Sequence, residues 1–457
     1  MAVSGVAGAL RGNSLVSGAP GAVAFSQILK EFYRPAVVDQ LNSKTVLSRM
    51  LGRKTEGVEG KYMVVDLRVG RNFGFGYAAE GGRLPDPQSQ QYRQARYSMR
   101  YSYGRIKFSG PSASASRSDR GSFIRMMDGE VQGLAQDIQH NDNRIMFGDG
   151  SGRLCRLVSG AGAGPWTVAD PGGITSTALG TQYLDVGMRV ATLANDTAAV
   201  PLMTAPGTLF GGATLRSAFI GSIDRTAGTV SFVNSAGAAS TLSALAGTQY
   251  LYIANDESAD LPGGSWGRGL ESQGLAAIVD DADPVFQDGT SWPTGLGEIP
   301  VASFPIWKAP VIDNGGIAQP FNQDMLQQGM DLVDITSDGS VDIWVTTHGI
   351  RRQYLNSLVG AKRFPNTMDL DGGFKALTFD GRPLVVDKDC TRGRIYGLSL
   401  ETIFLIYETD YDWLDQDGSV LHRIPDQDAF QATMYRYWNM ATDARNRNVL
   451  ITDIIDS

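Results

Sequence analysis

Cysteine and histidine are scarce in this chain, and so are the motifs that announce catalysis. Two cysteines, Cys155 and Cys390, stand far apart in 457 residues with no CxxC between them. They exclude a disulfide scaffold and read as free, buried thiols of a reducing compartment. Three histidines, His140, His348 and His422, have no HExxH or HxH neighbour, so no zinc site is offered. There is no GxSxG and no GxxxxGK[ST]; Gly60-Lys61 is followed by Tyr62, which cannot serve magnesium. Gly74, Gly76 and Gly81 have the wrong spacing for a dinucleotide loop, and no βαβ unit follows them. The stretch Asp415 to Ser419 resembles the start of a calcium loop, but its twelfth position is Asp426 and not Glu. A turn is the simpler reading. Asp280, Asp281 and Asp283 read as a solvated acidic loop. No apolar run approaches about 18 residues, so no helix spans a membrane. The first 23 or so residues lack a basic n-region and an apolar h-region, which excludes a signal peptide and suggests a loose small-residue arm. The sequence thus offers no catalytic, cofactor-binding or metal site.

Glycine, by contrast, is abundant: 55 of 457 residues, about 12% against a usual share of about 7%. With 42% hydrophobic and 19% charged residues the chain is globular, and without a collagen period the glycines imply many turns in a strand-rich fold. The length calls for two or three domains.

The most informative stretch runs from Lys61 to Arg105. It holds 8 basic and 3 acidic residues, Lys61, Arg68, Arg71, Arg83, Arg93, Arg96, Arg100 and Arg105 against Asp66, Glu80 and Asp86, in a chain of net charge −8. Apolar residues alternate on both flanks, Val65, Leu67 and Val69 on one and Tyr97, Met99, Tyr101 and Tyr103 on the other, around a middle of Gly, Pro and Gln. This predicts a long two-stranded arm over 58–105. A lone hairpin is marginal in water, so another molecule should cover it. Its arginines and aromatics suit phosphate backbones, but an acidic chain favours charge complementarity with acidic surfaces of identical neighbours.

Ahead of the arm, Ala24 to Met50 carries a helical period broken at Pro35, which predicts two short helices. Behind it, the polar linker Ser109 to Ser122 leads into a long amphipathic helix. Phe123, Met127, Val131, Leu134, Ile138 and Ile145 keep a 3–4 spacing, with Asp, Gln, Asn and Arg opposite. Gly129 and Gly133 inside it suggest close approach by another backbone. From 152 to about 260, short strands alternate with turns and predict an inserted barrel or sandwich. GTQYL occurs there twice, at Gly180 and Gly247, either as a trace of duplication or as matching strand ends. Thereafter the chain is mixed: helices over 320–335 and from Gly349, a buried strand over Val341 to Thr347, and a hairpin turning at Asp380-Gly381. Alternating strands close it, with Thr433, Tyr435 and Tyr437 opposite Met434, Arg436 and Trp438.

These parts in this order resemble the tailed-bacteriophage major capsid protein, of the Hong Kong phage-type fold. The resemblance rests on LRVGRNFGFGYAAEGGRLP, GRIKFSGPSASASRSDRGSFIRMMDGE, DLDGGFKALTFDGRPLVVDKDC and the tail from DGSVLHRIPDQDAF to NVLITDI. It implies an α+β fold with an N-terminal arm (1–57), an extended β-hairpin loop (58–105) and a peripheral domain with the spine helix (106–151). It further implies an inserted all-β module (152–260), an axial domain with its connecting segment (261–405) and closing strands of the peripheral domain (406–457). It implies a non-enzymatic subunit that self-assembles into hexamers and pentamers of an icosahedral head enclosing double-stranded DNA without sequence-specific binding. Scaffolding protein, portal and a decoration protein are the further partners it suggests. The compartment is the virion capsid, assembled in the host bacterial cytoplasm. The intersubunit contacts of the extended loop are expected at Arg68, Arg71, Phe73, Phe75, Tyr77, Arg83, Arg93, Arg96 and Arg100. Some members join subunits through a lysine of this loop, but Arg71 to Arg105 contains none, so the contacts should be non-covalent. No cleavable scaffolding segment is visible in the first residues, which implies a separate scaffolding protein. The alternative is an encapsulin-type nanocompartment shell. An adhesin or tail protein explains the long helix poorly, and a hydrolase would rest on scattered carboxylates alone.

Overall fold

Three sheets, a closed barrel and one long helix account for most of the chain in this computed structural model, which describes residues 46–456 apart from 56, 60–61, 71, 111–119, 161–163, 171–179, 195–216, 235, 241–248, 255–268, 285–294, 361–366, 371–373, 416–421 and 426. The first helix expected after Ala24 and the calcium-like turn lie outside these residues.

Helix α1 (Val46–Met50) and strand β1 (Gly52–Lys54) open the described chain, followed by β2 (Val58–Glu59), β3 (Tyr62–Gly70), β4 (Gln91–Ser98) and β5 (Arg100–Ser109). They are not a free N-terminal arm. Leu47 and Leu51 are buried in the largest core, and β1 pairs in parallel with β18 (Ile403–Trp413). β18 pairs with β20 (Ala429–Thr442), which also pairs with β5 and with β19 (His422–Arg423). Against this sheet lies the long helix α2 (Arg120–Phe147). Gly104 of β5 is where they meet: a Cβ there would stand 2.5 Å from the Ile138 Cδ1 and 3.0 Å from Leu134. A side chain at 104 would push the helix off the sheet.

Strands β6 (Cys155–Ser159), β7 (Trp166–Ala169), β8 (Arg189–Ala194), β9 (Ser217–Asp224), β10 (Thr229–Val233) and β11 (Gln249–Ile253) close a barrel in the order β10-β7-β6-β11-β8-β9. Trp166, Val168, Leu184, Phe232 and Leu251 fill its interior, as is usual for a barrel this narrow. The two GTQYL stretches differ: 180–184 form a turn, whereas Gln249 to Leu251 lie in β11. The described part, Gln-Tyr-Leu, thus lies in a turn region at 182–184 and in a strand at 249–251, so matching strand ends do not describe it.

Short helix α3 (Leu275–Ile278) returns the chain to the body. A seven-stranded mixed sheet follows, in the order β12-β21-β17-β13-β16-β15-β14, from β12 (Val311–Ile312), β13 (Ile343–Thr346), β14 (Thr367–Leu370), β15 (Phe374–Phe379), β16 (Arg382–Val386), β17 (Ile395–Leu398) and β21 (Val449–Ile451). Helices α4 (Gln323–Ser337) and α5 (His348–Gly360) cover one face. Asn322 caps α4, its side-chain oxygen accepting from the Asp324 amide at 3.3 Å, and the helix ends on left-handed Asp338. β13 is buried throughout, and apolar but for Thr346, because both its faces are covered: Ile343 and Val345 join the largest core, Trp344 the core beneath α4 and α5. Asp380 and Gly381, both at positive φ, turn β15 into β16. The expected boundary at 405/406 does not separate the sheets. β18 and β20 belong to the first, but β21 lies in the seven-stranded one, between β12 and β17.

Candidate functional site

The arm divides into a fixed root and a free tip. In the root, β3 pairs with β4 from Tyr62↔Ser98 to Gly70↔Gln91, and β2 adds a third strand. Its inner face is not waiting for another molecule. Met63, Leu67, Val69, Ala95 and Tyr97 are buried in the largest core with Leu296, Ile299 and Trp307. Gly297 comes so close that a Cβ there would lie 2.9 Å from that of Ala95, and the Tyr97 hydroxyl donates to the Thr442 carbonyl at 2.7 Å. The expected second limb also breaks. β4 ends at Ser98, and after Met99 the chain crosses to the other sheet as β5. Met99 and Arg100 are buried in succession, so the alternation flips and Tyr101 and Tyr103 turn outward.

The tip, 72–88, has no strand partners and is closed by side chains. The Asn72 amide donates to the Gln88 carbonyl at 2.6 Å, and its oxygen accepts from the Gly74 amide at 2.7 Å. The Gly82 amide donates to the Ala79 carbonyl at 2.8 Å, and Arg83 pairs with Asp86 at 3.0 Å. On this frame every second residue is a bare aromatic: Phe73 is 65% exposed, Phe75 73% and Tyr77 103%, with Leu84 at 78% nearby.

The arginines expected at the contacts separate accordingly. Arg68 and Arg83 are exposed, and Arg71 falls outside the described residues. Arg93 lies over the Phe304 ring at 5.2 Å, and Arg96 is 3.8 Å from Glu298, so both face the subunit's own body. Arg100 is enclosed, its Nη1 donating to the Gly269 carbonyl at 3.2 Å. It is a structural arginine of the root and not a part of the exposed arm.

Behind the arm, the last turns of α2 form a joint that sequence periodicity gives no hint of. Asp142, Asn143 and Arg144 sit where the pattern predicts a solvated face, yet all three are buried. Each reaches a different unit. Asp142 accepts from the Arg436 guanidinium of β20 and from the Tyr411 hydroxyl of β18. Arg436 is itself ringed by Tyr407, Tyr411 and Trp438, at 4.5–4.6 Å from each centroid. Burial pushes the Asp142 carboxyl upward, and the Arg436 guanidinium pulls it back. Asn143 donates to Asp387 at 2.9 Å and to Asp389 at 2.8 Å, in the loop after β16. Burial pushes the Asp387 carboxyl up to about 6, and its Oδ2 has no donor. Arg144 pairs with Glu271, on the segment returning from the barrel. From the barrel side, Gln182 and Tyr183 donate to carbonyls of Lys388, Asp389 and Cys390. The clue in the sequence was Arg436, an arginine between Met434 and Trp438 on an apolar strand face. Such a cation demands a buried partner.

A cavity of about 340 Å³ opens beside this joint, lined by Arg144, Phe147, Arg153, Tyr183, Tyr250 and Arg394 among others. Its arginines gather at the carboxyl end of α2, where cations offset the helix dipole. Arg144 is already held by Glu271, and Arg153 lies over Tyr250 at 4.4 Å. The acidic loop near 280 is not simply solvated either. Arg445, fully buried, donates to four of its carbonyls, those of Ala277, Ile278, Asp280 and Ala282. His140 contacts Lys388 at 2.9 Å, His348 begins α5 and His422 lies in β19, so the histidines occupy three separate elements. Among the described residues no group of three or more His, Cys, Asp or Glu converges to hold a metal, and no helix is long and apolar enough to cross a membrane. Burial pushes both thiols up, which makes them poor nucleophiles.

The class is α+β, and hairpin, long helix, inserted barrel and mixed sheet stand in the order the capsid resemblance implies. No protein-family model and no curated protein matches the chain. Among solved structures, the chain is similar to the Cyanophage A-1(L) capsid asymmetric unit, with 11% identity over 92% of this chain and 95% of that one and a TM-score of 0.49. A structure from Gordonia phage Cozz shows 9% identity over 93% of both chains, with a TM-score of 0.42. The holo-SrpI encapsulin complex from Synechococcus elongatus PCC 7942 shows 10% identity over 95% and 96%, with a TM-score of 0.43. At TM-scores below 0.5 these likenesses carry no weight of their own, and the functional reading stands on the geometry.

Proposed function

We propose that this chain is a structural shell subunit, assembling into the hexamers and pentamers of a tailed-phage head around double-stranded DNA. One observation carries the reading: a braced tip that holds Phe73, Phe75 and Tyr77 in solvent on a root welded to its own core. Aromatic surface held out in this way marks an interaction site. Because the root is fixed, the tip cannot fold back to bury it, so a second molecule must. Contacts between identical subunits in a ring are heterologous and need a donor and a different acceptor surface. A protruding basic arm on an acidic chain suits the donor role, and with no lysine from Arg71 to Arg105 the contact is non-covalent. Scaffolding protein, portal and decoration protein remain the partners suggested by the resemblance.

Negative-stain electron microscopy of the purified protein across a concentration series tests this. Icosahedral shells or hexameric rings are expected, and a dispersed monomer at high concentration would overturn it. Mass spectrometry of particles recovered from cells then separates a phage head, carrying DNA, from an encapsulin-type compartment carrying a cargo enzyme.

A further inference from the structure

The amino end of α5 gathers positive charge where a helix favours negative charge. Its neighbour α4 opens in the ordinary way, with Asn322 as cap and Asp324 in the first turn. α5 has no acidic residue in its first turn. Thr347 holds the cap position, and its carbonyl accepts from the Arg351 amide at 3.2 Å. The amides of His348, Gly349 and Ile350 therefore have no acceptor within the helix. A capping threonine ordinarily turns its hydroxyl to such amides. Thr347 does not: it is 6% exposed, and its hydroxyl has no hydrogen-bond partner. Arg351 and Arg352 follow one turn on, where helical side chains lean back toward the amino end. Arg392 comes from the loop between β16 and β17. Burial, and then the charges of Arg351, Arg352 and Arg392, lower the pKa of the exposed His348 imidazole, against the charge of Asp456. Asp456 does not neutralise this end. Its Oδ2 accepts no hydrogen bond, the Arg351 Nε finds no acceptor, and among the described residues neither Arg351 nor Arg392 forms an ion pair.

We infer that the amino end of α5 binds a phosphate group, with the first amides of the helix and the Thr347 hydroxyl as donors and Arg351 and Arg392 supplying the charge. Unpaired amides and the helix dipole together make an anion site. Arginines added to that positive end destabilise the helix unless an anion joins them. A local rule broken in this way marks a functional position. Phosphate suits the place better than a carboxylate does. It offers several oxygens to donors arriving from different directions, whereas the carboxylate at hand, Asp456, leaves both arginines unpaired. The position agrees as well: the site lies past the carboxyl end of β13, beside its parallel neighbour β16, where α/β sheets commonly take their ligands. The group can belong to free phosphate or to the backbone of a nucleic acid. The inference does not depend on the shell reading.

Calorimetric titration and thermal unfolding of the full chain with inorganic phosphate, against potassium chloride at equal ionic strength, test it. Phosphate should bind saturably and raise the melting temperature, and chloride should do neither. His348→Asp, a change at an exposed position, supplies the missing negative charge from within the chain. It should melt higher than wild type in phosphate-free buffer and bind phosphate about tenfold more weakly. Arg392→Gln should weaken binding by a similar factor without lowering the melting temperature, whereas a purely structural arginine would lower it. A short DNA duplex is then added to the wild type with phosphate bound. Displacement supports the site with a nucleic-acid backbone as its source of phosphate, and no displacement supports it with the free ion. Absence of saturable phosphate binding, an equal response to chloride, or wild-type affinity in both variants would overturn the inference.

Discussion

The Asp142 carboxylate, near the end of the long helix, accepts a hydrogen bond from the Arg436 guanidinium in the middle of β20. Both side chains are nearly inaccessible, at 3% and 4% exposure. Removing one partner from such a pair leaves the other charge uncompensated, which costs about 3–5 kcal/mol. Arg436→Met should lower unfolding stability by that amount in urea titration. The double change Asp142→Asn with Arg436→Met should recover part of the loss, because no bare charge remains. Equal losses in single and double variants would show that packing, and not charge, sets the cost.

Asp387 makes the same joint sensitive to pH. Its carboxyl is pushed up to about 6, first by burial and then by the neighbouring Asp389, against the hydrogen bonds from Asn143 and the Asp389 amide and the charge of Lys388. A raised carboxyl pKa means that the folded state holds the proton more tightly than the unfolded state does. Its stabilising effect is therefore complete below the unfolded pKa, about 3.9, and is lost as pH rises through 6, amounting to up to about 3 kcal/mol. Stability should fall between pH 4 and 6.5 on this group's account. Asp387→Asn should flatten that slope in denaturation curves taken across the range, and an unchanged slope would count against the assignment.

At Gly133 the helix pattern suggested close approach by another backbone. The structure shows otherwise: a Cβ there meets nothing within 4 Å in the subunit. Gly133→Ala should then stabilise the isolated subunit by about 0.5–1 kcal/mol through helix propensity and chain entropy. A loss of thermal stability would mean that the position is crowded.

The arm's residues should respond differently by place. Phe75→Ser with Tyr77→Ser, changes to exposed side chains, should leave folding stability within about 0.5 kcal/mol while abolishing assembly. Arg83→Glu should act likewise. Arg93→Glu removes a ring contact with Phe304 inside the subunit, costing the monomer about 0.5–1 kcal/mol, and should impair assembly through that loosened root. Denaturation and light scattering on the same samples separate the two effects. Normal particles with unchanged salt tolerance from the Arg83 and Arg93 variants would refute this role of the arm.

Local rules made much of this fold legible. The 3–4 spacing from Phe123 to Ile145 places the long helix, Asn322 and Asp324 mark the start of α4, and Asp380-Gly381 marks a hairpin. The aromatics of the tip, Phe73, Phe75 and Tyr77, came instead from the capsid resemblance, and local pattern did not single them out. What failed depended on partners far along the chain. Periodicity put Asp142, Asn143 and Arg144 toward water because nothing nearby in sequence shows that Arg436, Asp387 and Glu271 converge on them. The break at Met99 was hidden because an alternating strand can pass from one sheet to another without changing its composition. Arg100 looked like one more arm arginine for the same reason: it lies just past that break, and its acceptor, the Gly269 carbonyl, is 169 residues away.

The pairing of β1 and β5 with β18 and β20, and the place of β21 inside the seven-stranded sheet, also bear on how the subunit is made. Neither sheet can close until residues 403–451 have left the ribosome: β1 and β5, from the first quarter of the chain, wait for β18 and β20, and β12 waits for β21. Pairings this distant are slow to form, since long loops must close before any contact rewards them. The first sheet is therefore complete only when synthesis is nearly finished, because β20 must lie between β5 and β18.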